Sequence, residues 1–318
     1  MTHLKEFEAA PKEIIEMNHS KEYVDSIIAQ SSRTEGGYAD DITTFSQYGY
    51  DIAALAVGGV LHAGEQVVEG KVDCAYVLCR PPGHHAVPTA GMGFCIFNNI
   101  AIAARYLRSK YPDKIRKVAI VDYDVHHGNG TQDSFYSDDN VLFISIHQDR
   151  NFPLNTGFIE EDGEGNAKGT NINIPLPPGS GSGAYKCAFD TVVIPALNRF
   201  GPDIILVSSG FDASYMDPLS AMILSSEDFG DMAKALLNAA ERLCENRILY
   251  SHEGGYSDLY VPFCGVRVVE EMLGMKEVIA DPLLSDAKGW AGQELMLHQF
   301  EVIDKVCKHH NLERPIWK

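Results

Sequence analysis

Short, almost uninterrupted apolar runs alternate along this chain with longer stretches of helical periodicity. Cys74–Cys79, Lys117–Val121, Val141–Ile146, Asp203–Val207 and Asn246–Tyr250 are brief, rich in β-branched or aromatic residues, and nearly continuous in hydrophobicity. Strands covered on both faces have that pattern. Asn171–Ile174 is a weaker strand of the same kind. Between them, Gln47–Val68, Asn98–Lys110, Ala184–Arg199, Ser226–Cys244 and Gln293–His309 carry helical spacing. Ser225, Ser226, Glu227 and Asp228 form a helix start, with hydroxyls for the cap and acids in the first turn. Strands alternating with helices predict an α/β fold with a central, mostly parallel β-sheet flanked by helices. The linker-like stretch Pro175–Gly183 is too short to require a boundary and reads as a surface loop, so residues 1–318 are expected to form one domain.

In such sheets ligands bind beyond the carboxyl ends of the strands. The polar clusters lie at that address. The first predicted strand runs into RPPGHHA, with His84 and His85. The second runs into DYDVHHGNG, with Asp122, Asp124, His126, His127 and Asn129. His147 follows the third, SSGFDAS with Asp212 follows Asp203–Val207, and SHEGGY with His252, Glu253 and Tyr256 follows the last.

Asp124 and His126 are two apart on a chain leaving a strand, so both side chains face one side. Asp212 leaves a neighbouring strand and completes a set of two carboxylates and one imidazole. That set suits a catalytic divalent ion, zinc by default and iron(II) on the same ligands. In His84-His85 two rings follow a rigid Pro-Pro-Gly turn. Asp122 is placed to orient one and Asn129 the other; a carboxylate partner raises imidazole basicity, whereas an amide mainly fixes the tautomer. Rings of different basicity suit base and acid work. Gly254 and Gly255 let the backbone bend or approach a ligand before Tyr256. The tyrosine hydroxyl fits as a donor to a developing oxyanion, and equally as a lid packed on a glycine turn. Together these parts specify metal-assisted hydrolysis. No GxSxG elbow, P-loop, GxGxxG or HExxH occurs.

Charge narrows the partners. Basic residues number 26 and acidic ones 44, a net charge of −18. This argues against a phosphate-backbone binder, and so against direct nucleic-acid binding, and suits a cationic substrate or simple solubility. Seven cysteines without a CxxC pair read as free thiols in a reducing compartment. The N-terminus has charge where a signal peptide needs an apolar core, and no run of 18 apolar residues predicts a membrane span. The expectation is a cytoplasmic protein, or a nuclear one in a eukaryote. The sequence leaves a homo-oligomer open.

RPPGHHA, GMGFCIFNN, VDYDVHHGNGTQ, SSGFDAS and HEGGY, in this order, resemble the histone deacetylase and acetylpolyamine amidohydrolase superfamily. The likeness is to the class II branch and the bacterial histone-deacetylase-like amidohydrolases, and runs from about Asn18 to about Gly274. It implies an arginase/deacetylase-type three-layer sandwich and a zinc ion on Asp124, His126 and Asp212. It implies His84 and His85 as the acid/base pair, with His85 as proton acceptor, Asp122 and Asn129 behind them, and Tyr256 stabilising the transition state. Phe94 and Phe152 would grip an acyl-lysine-like chain, with Gly93 lining the slot. A structural potassium would sit near Asp122, Asp124, His126, Ser145 and Ile146.

The family normally carries about fifty more residues at its start, so the resemblance implies a more open pocket rim here, or one completed by another subunit. Leu219 matches a gatekeeper position that is acidic in polyamine-preferring relatives. It directs the resemblance towards acyl-lysine or a neutral amide. Asp40 or Asp41 fits as a partner for a substrate backbone at the rim, and both fit equally as solvated loop acids. The leading expectation is a zinc amidohydrolase acting on acylated lysine side chains of peptides or proteins, or on related amines. An acetylpolyamine or other small-molecule amidohydrolase is the alternative. A non-catalytic acyl-lysine binder and a binuclear manganese ureohydrolase fit less well. The first would not need Tyr256 and the ligands intact, and the second needs more carboxylates than GFDAS supplies.

Overall fold

The computed structural model describes residue 3 and residues 6–317. Six strands form one sheet: β1 (Cys74–Val77), β2 (Val118–Asp122), β3 (Val141–Gln148), β4 (Asn171–Leu176), β5 (Ile204–Ser209) and β6 (Ile248–His252). Their spatial order is β1-β6-β5-β2-β3-β4, and every pairing is parallel. The expected mostly parallel sheet is therefore wholly parallel among the described residues.

Alternation along each strand builds two cores. Val118 and Ile120 of β2 join Phe143, Leu206 and Leu249 in one apolar cluster, covered by the helices Gly49–Val68 and Asn99–Lys110. Ala119 and Val121 join Ile144, Val207 and Tyr250 in the other, covered by Ser226–Cys244, Val261–Met272 and Leu297–His309. This is a three-layer α/β sandwich, with strands buried on both faces.

The helix expected over Ala184–Arg199 is broken into Ser182–Ala188, a π turn at Phe189–Val193, and Ile194–Phe200. Pro195 has no N–H to donate back to the preceding turn, so the ladder re-registers there. The last helix starts at Leu297 instead of Gln293, because the Gln293 side chain donates to the carbonyls of Ile223 and Ala287 and accepts from the Ser182 amide. No helix among the described residues is long and apolar enough to cross a membrane.

The chain places β2 at the centre, moves outward through β3 and β4, then returns on the other side with β5 and β6. The loops leaving β2 and β5 therefore diverge at a topological switch point, which opens a crevice at the carboxyl edge of the sheet.

Candidate active site

Asp124, His126 and Asp212 meet in that crevice. His126 Nδ1 lies 3.1 Å from Asp124 Oδ1 and 3.0 Å from Asp212 Oδ2. All three residues are buried, and one ligand atom from each falls within 4.8 Å of the others. Backbone amides fix the carboxylates: Val125 N donates to Asp212 Oδ1 at 2.7 Å, and Gly254 N to Asp124 Oδ2 at 2.8 Å.

Burial pushes the Asp212 carboxyl up to about 7, with the nearby Asp124 charge adding to it. Burial also opposes charge on Asp124, but His84 and His126 outweigh it and hold this carboxyl well below the usual range. His126 loses basicity to burial and regains more from Asp212 and Asp124, ending at about 11. The protein alone thus draws a proton into the space between two buried carboxylates. A divalent cation would fit this donor set for the same electrostatic reason and would replace that proton.

The adjacent rings of His84 and His85 lie with centroids 3.9 Å apart and have different partners. His84 Nδ1 bonds Asp122 Oδ2 at 2.9 Å, and His85 Nδ1 bonds Asn129 Oδ1 at 2.8 Å. Burial disfavours charge on His84, but Asp124 and Asp122 more than offset it and raise its pKa to about 10. Burial, His84 and His126 drive the pKa of His85 well below the ordinary imidazole value. Their surroundings thus push the two rings in opposite directions, His84 towards the imidazolium and His85 towards the free base. The sequence pointed to this asymmetry through Asp122 and Asn129.

Tyr256 stands on the open side. Its ring is 6.4 Å from His126 and 6.0 Å from Phe94. Burial, Asp124 and Asp212 raise the phenol pKa far above its ordinary value, so the hydroxyl keeps its proton. Phe152 packs edge-on against His85 at 5.0 Å and lies 6.3 Å from His126. Phe94 and Leu219 are exposed at the mouth. Asn151 Nδ2 donates to the Leu219 carbonyl at 3.0 Å, which joins the Leu219 loop to the Phe152 loop. Gly93 has no room for a side chain: a Cβ would lie 2.4 Å from His85 and 2.8 Å from Phe152.

A histone deacetylase domain model matches residues 1–272. The chain belongs to the histone deacetylase domain family. A histone deacetylase-like amidohydrolase of Pseudomonas aeruginosa is 44% identical over 265 residues, covering 83% of this chain and 69% of that protein. A probable deacetylase of Archaeoglobus fulgidus is 38% identical over 272 residues, covering 85% and 74%. The solved HDA15 HD domain superposes with a TM-score of 0.85 at 30% identity, over 96% of this chain and 82% of that one. As a member of the histone deacetylase family, the chain is an amide-bond hydrolase with the arginase/deacetylase-type sandwich.

Not every polar residue near this site joins it. His147 is turned to Ser145 Oγ at 2.9 Å and the Gly157 carbonyl at 3.0 Å, away from the carboxylates. His127 is held between Thr156 and Gln132. Asp40 accepts the amides of Ile42 at 3.0 Å and Gly93 at 3.2 Å, and Thr43 Oγ1 accepts that of Phe94 at 2.9 Å. Asp40 therefore braces the Gly93–Phe94 wall from the rim loop, a contact made across fifty residues that no local pattern announces.

Two further supports have roles that the sequence does not assign. Glu253 is buried, and its Oε2 accepts the amides of Gly83 at 2.7 Å and His84 at 3.1 Å, fixing the twin-histidine turn. Glu253 also groups with Cys95 and His84 within 4.8 Å, where burial and the Glu253 charge push the Cys95 thiol up. Asp217 is the second support: it accepts the amides of Tyr256 and Leu219.

Proposed function

We propose that this amide hydrolase removes acetyl or other acyl groups from lysine side chains, or from related amines, with zinc held by Asp124, His126 and Asp212. Iron(II) would accept the same ligands. The observation that carries the reading is the pairing of that buried triad with two adjacent imidazoles, one bonded to a carboxylate and the other to an amide oxygen, with Tyr256 beside Phe94 on the open side. The ion, when bound, would polarise the scissile carbonyl and make a water molecule easier to ionise.

The chain's own residues would do the rest. His85 donates from Nδ1 to Asn129, so its Nε2 is free to take a proton from the attacking water. The tyrosine hydroxyl of Tyr256 donates to the oxygen that gains charge as the tetrahedral intermediate forms. His84, whose charge Asp124 and Asp122 favour, gives a proton from Nε2 to the departing amine. Phe94, Phe152 and Gly93 form the walls along which an alkyl chain lies. Gly254 and Gly255 leave the acyl end unobstructed, and Leu219 presents an apolar rim that offers nothing to an internal ammonium. A potassium ion would be held near Asp122, Asp124, His126, Ser145 and Ile146, where β2 and β3 pair in register at Asp122 and Ser145. Residues 1–318 would act as one catalytic unit, in a reducing compartment such as the cytoplasm.

The test compares zinc-dependent hydrolysis of an acetyl-lysine peptide with that of acetylputrescine, using Tyr256→Phe as control. The peptide is expected to turn over faster, and the variant to lose about 100- to 1,000-fold in kcat. Preference for acetylputrescine would replace the lysine reading with the polyamine one. No turnover of either substrate with metal bound would defeat both.

A further inference from the structure

Tyr256 is 37% exposed, whereas the triad and both histidines are buried. It follows two glycines, of which Gly255 adopts φ of +126°, a conformation open to glycine and rarely to other residues. No hydrogen bond from its hydroxyl to the protein occurs among the described residues. A side chain so placed needs its backbone held from elsewhere, because an error of about 1 Å at a reacting group can cost about 100-fold in rate.

The backbone is held by Asp217. This residue lies in the loop after β5, eight residues beyond the strand end, and is buried at 7% exposure. Its Oδ2 accepts the Tyr256 amide at 2.7 Å and its Oδ1 accepts the Leu219 amide at 2.9 Å. The Asp217 amide in turn donates to the Ser214 carbonyl at 3.0 Å, which ties it to the segment carrying Asp212. Both oxygens of one carboxylate are thus spent on two loops from neighbouring strands. Charge-assisted bonds of this kind are about twice as strong as neutral ones. On the far side, the Leu219 carbonyl accepts from Asn151, whose neighbour Phe152 packs on His85. A continuous line of contacts runs from the slot wall through Leu219 to Tyr256, and Asp217 is its junction.

We propose that Asp217 is a positioning residue for the reaction, setting Tyr256 against the acyl carbonyl and coupling it to the Leu219 rim. The inference rests on the donor role given to Tyr256 above. Asp217 touches neither the triad nor the histidines through a hydrogen bond, so its effect on rate is routed through the tyrosine. Asn at this position keeps one acceptor oxygen but turns an NH2 towards the second amide; Ala keeps neither contact.

A double-mutant cycle on the zinc-loaded enzyme decides the point. Steady-state kcat and KM are measured on an acetyl-lysine peptide for wild type, Asp217→Asn, Tyr256→Phe and the double variant, with bound zinc quantified in each. Asp217→Asn is expected to lower kcat about 10- to 100-fold with KM changed by less than about 3-fold. Added to Tyr256→Phe, it is expected to change kcat by less than about 3-fold more, because the group it positions is already gone. Asp217→Ala should behave as a stronger version; should it not fold, Asp217→Asn alone closes the cycle. Losses that multiply in the double variant, or an effect on KM alone, would overturn the inference and leave the role of Tyr256 standing. Unchanged turnover in Tyr256→Phe would overturn both, since no donor would remain to be positioned.

Discussion

Gly254 sits where a methyl group could not. A Cβ there would lie 2.3 Å from Asp212 Oδ2 and 2.8 Å from Asp124 Oδ2, while the Gly254 amide already donates to Asp124 at 2.8 Å. The residue thus sets the separation of the two carboxylates from behind, through both its amide and its missing side chain. Groups that hold metal ligands are typically worth about 10- to 100-fold in metal affinity. At the zinc site proposed above, Gly254→Ala is therefore expected to weaken metal binding by about that factor while the chain stays folded. Competition with a chelating dye reads the affinity, and far-ultraviolet circular dichroism reads the fold. Wild-type affinity in a folded variant would show that the carboxylates are positioned by Val125 and His126 alone.

At the scale of elements, the strands were legible and their order was not. Central parallel strands lack alternation, so β2, β3 and β5 read as continuous apolar runs, and the Asp and His residues at their ends announced the site. The helix at Ser226–Cys244 was announced by Ser225 and Asp228, which form a capping box with Asp228 accepting the Ser225 amide at 2.7 Å. Val261–Met272 carries little signal of its own: valines and Gly265 depress its intrinsic propensity, and it forms because Cys264 and Val268 pack into the core against Ser226–Cys244. The order β1-β6-β5-β2-β3-β4 is set by which faces bury best, a long-range sum that no single segment carries. The supports of the site were hidden for a related reason. Asp217 and Glu253 bond backbone amides 39 and 170 residues away, and an amide has no sequence signature. Side-chain ligands of a metal advertise themselves by residue type, whereas carboxylates that clamp backbone look like ordinary acids until the loops meet.

Two properties belong to the molecule as a whole, and the first is its response to acid. His19, buried, accepts the Asn98 amide at Nε2 over 2.8 Å, and burial pulls its pKa down to about 4; burial does the same to His147 and His310. In the unfolded chain these rings titrate near 6.5, so the unfolded state binds more protons between about pH 6.5 and 4. Their contribution is complete above pH 6.5 and is lost as the pH falls towards 4, at up to about 1.4 kcal/mol per pH unit for each ring. Urea midpoints taken from pH 7.5 to 5 should fall more steeply for wild type than for His19→Gln, whose amide oxygen can take the same bond without titrating; parallel curves would refute the assignment. The second property is the charge of −18. A negative field of this size raises the local concentration of cationic ligands, and its range shrinks to about 8 Å at physiological salt. For the acyl-lysine substrates proposed here, kcat/KM on a Lys/Arg-rich peptide should fall about 10-fold between 20 and 300 mM salt, while a neutral peptide of equal length changes by less than about 2-fold. The difference should appear in KM, because steering acts on encounter and leaves the chemistry at Tyr256 and His85 untouched. Equal salt curves for the two peptides would mean that the acidic surface serves solubility only, and that selection among substrates is made entirely at Phe94, Phe152 and Leu219.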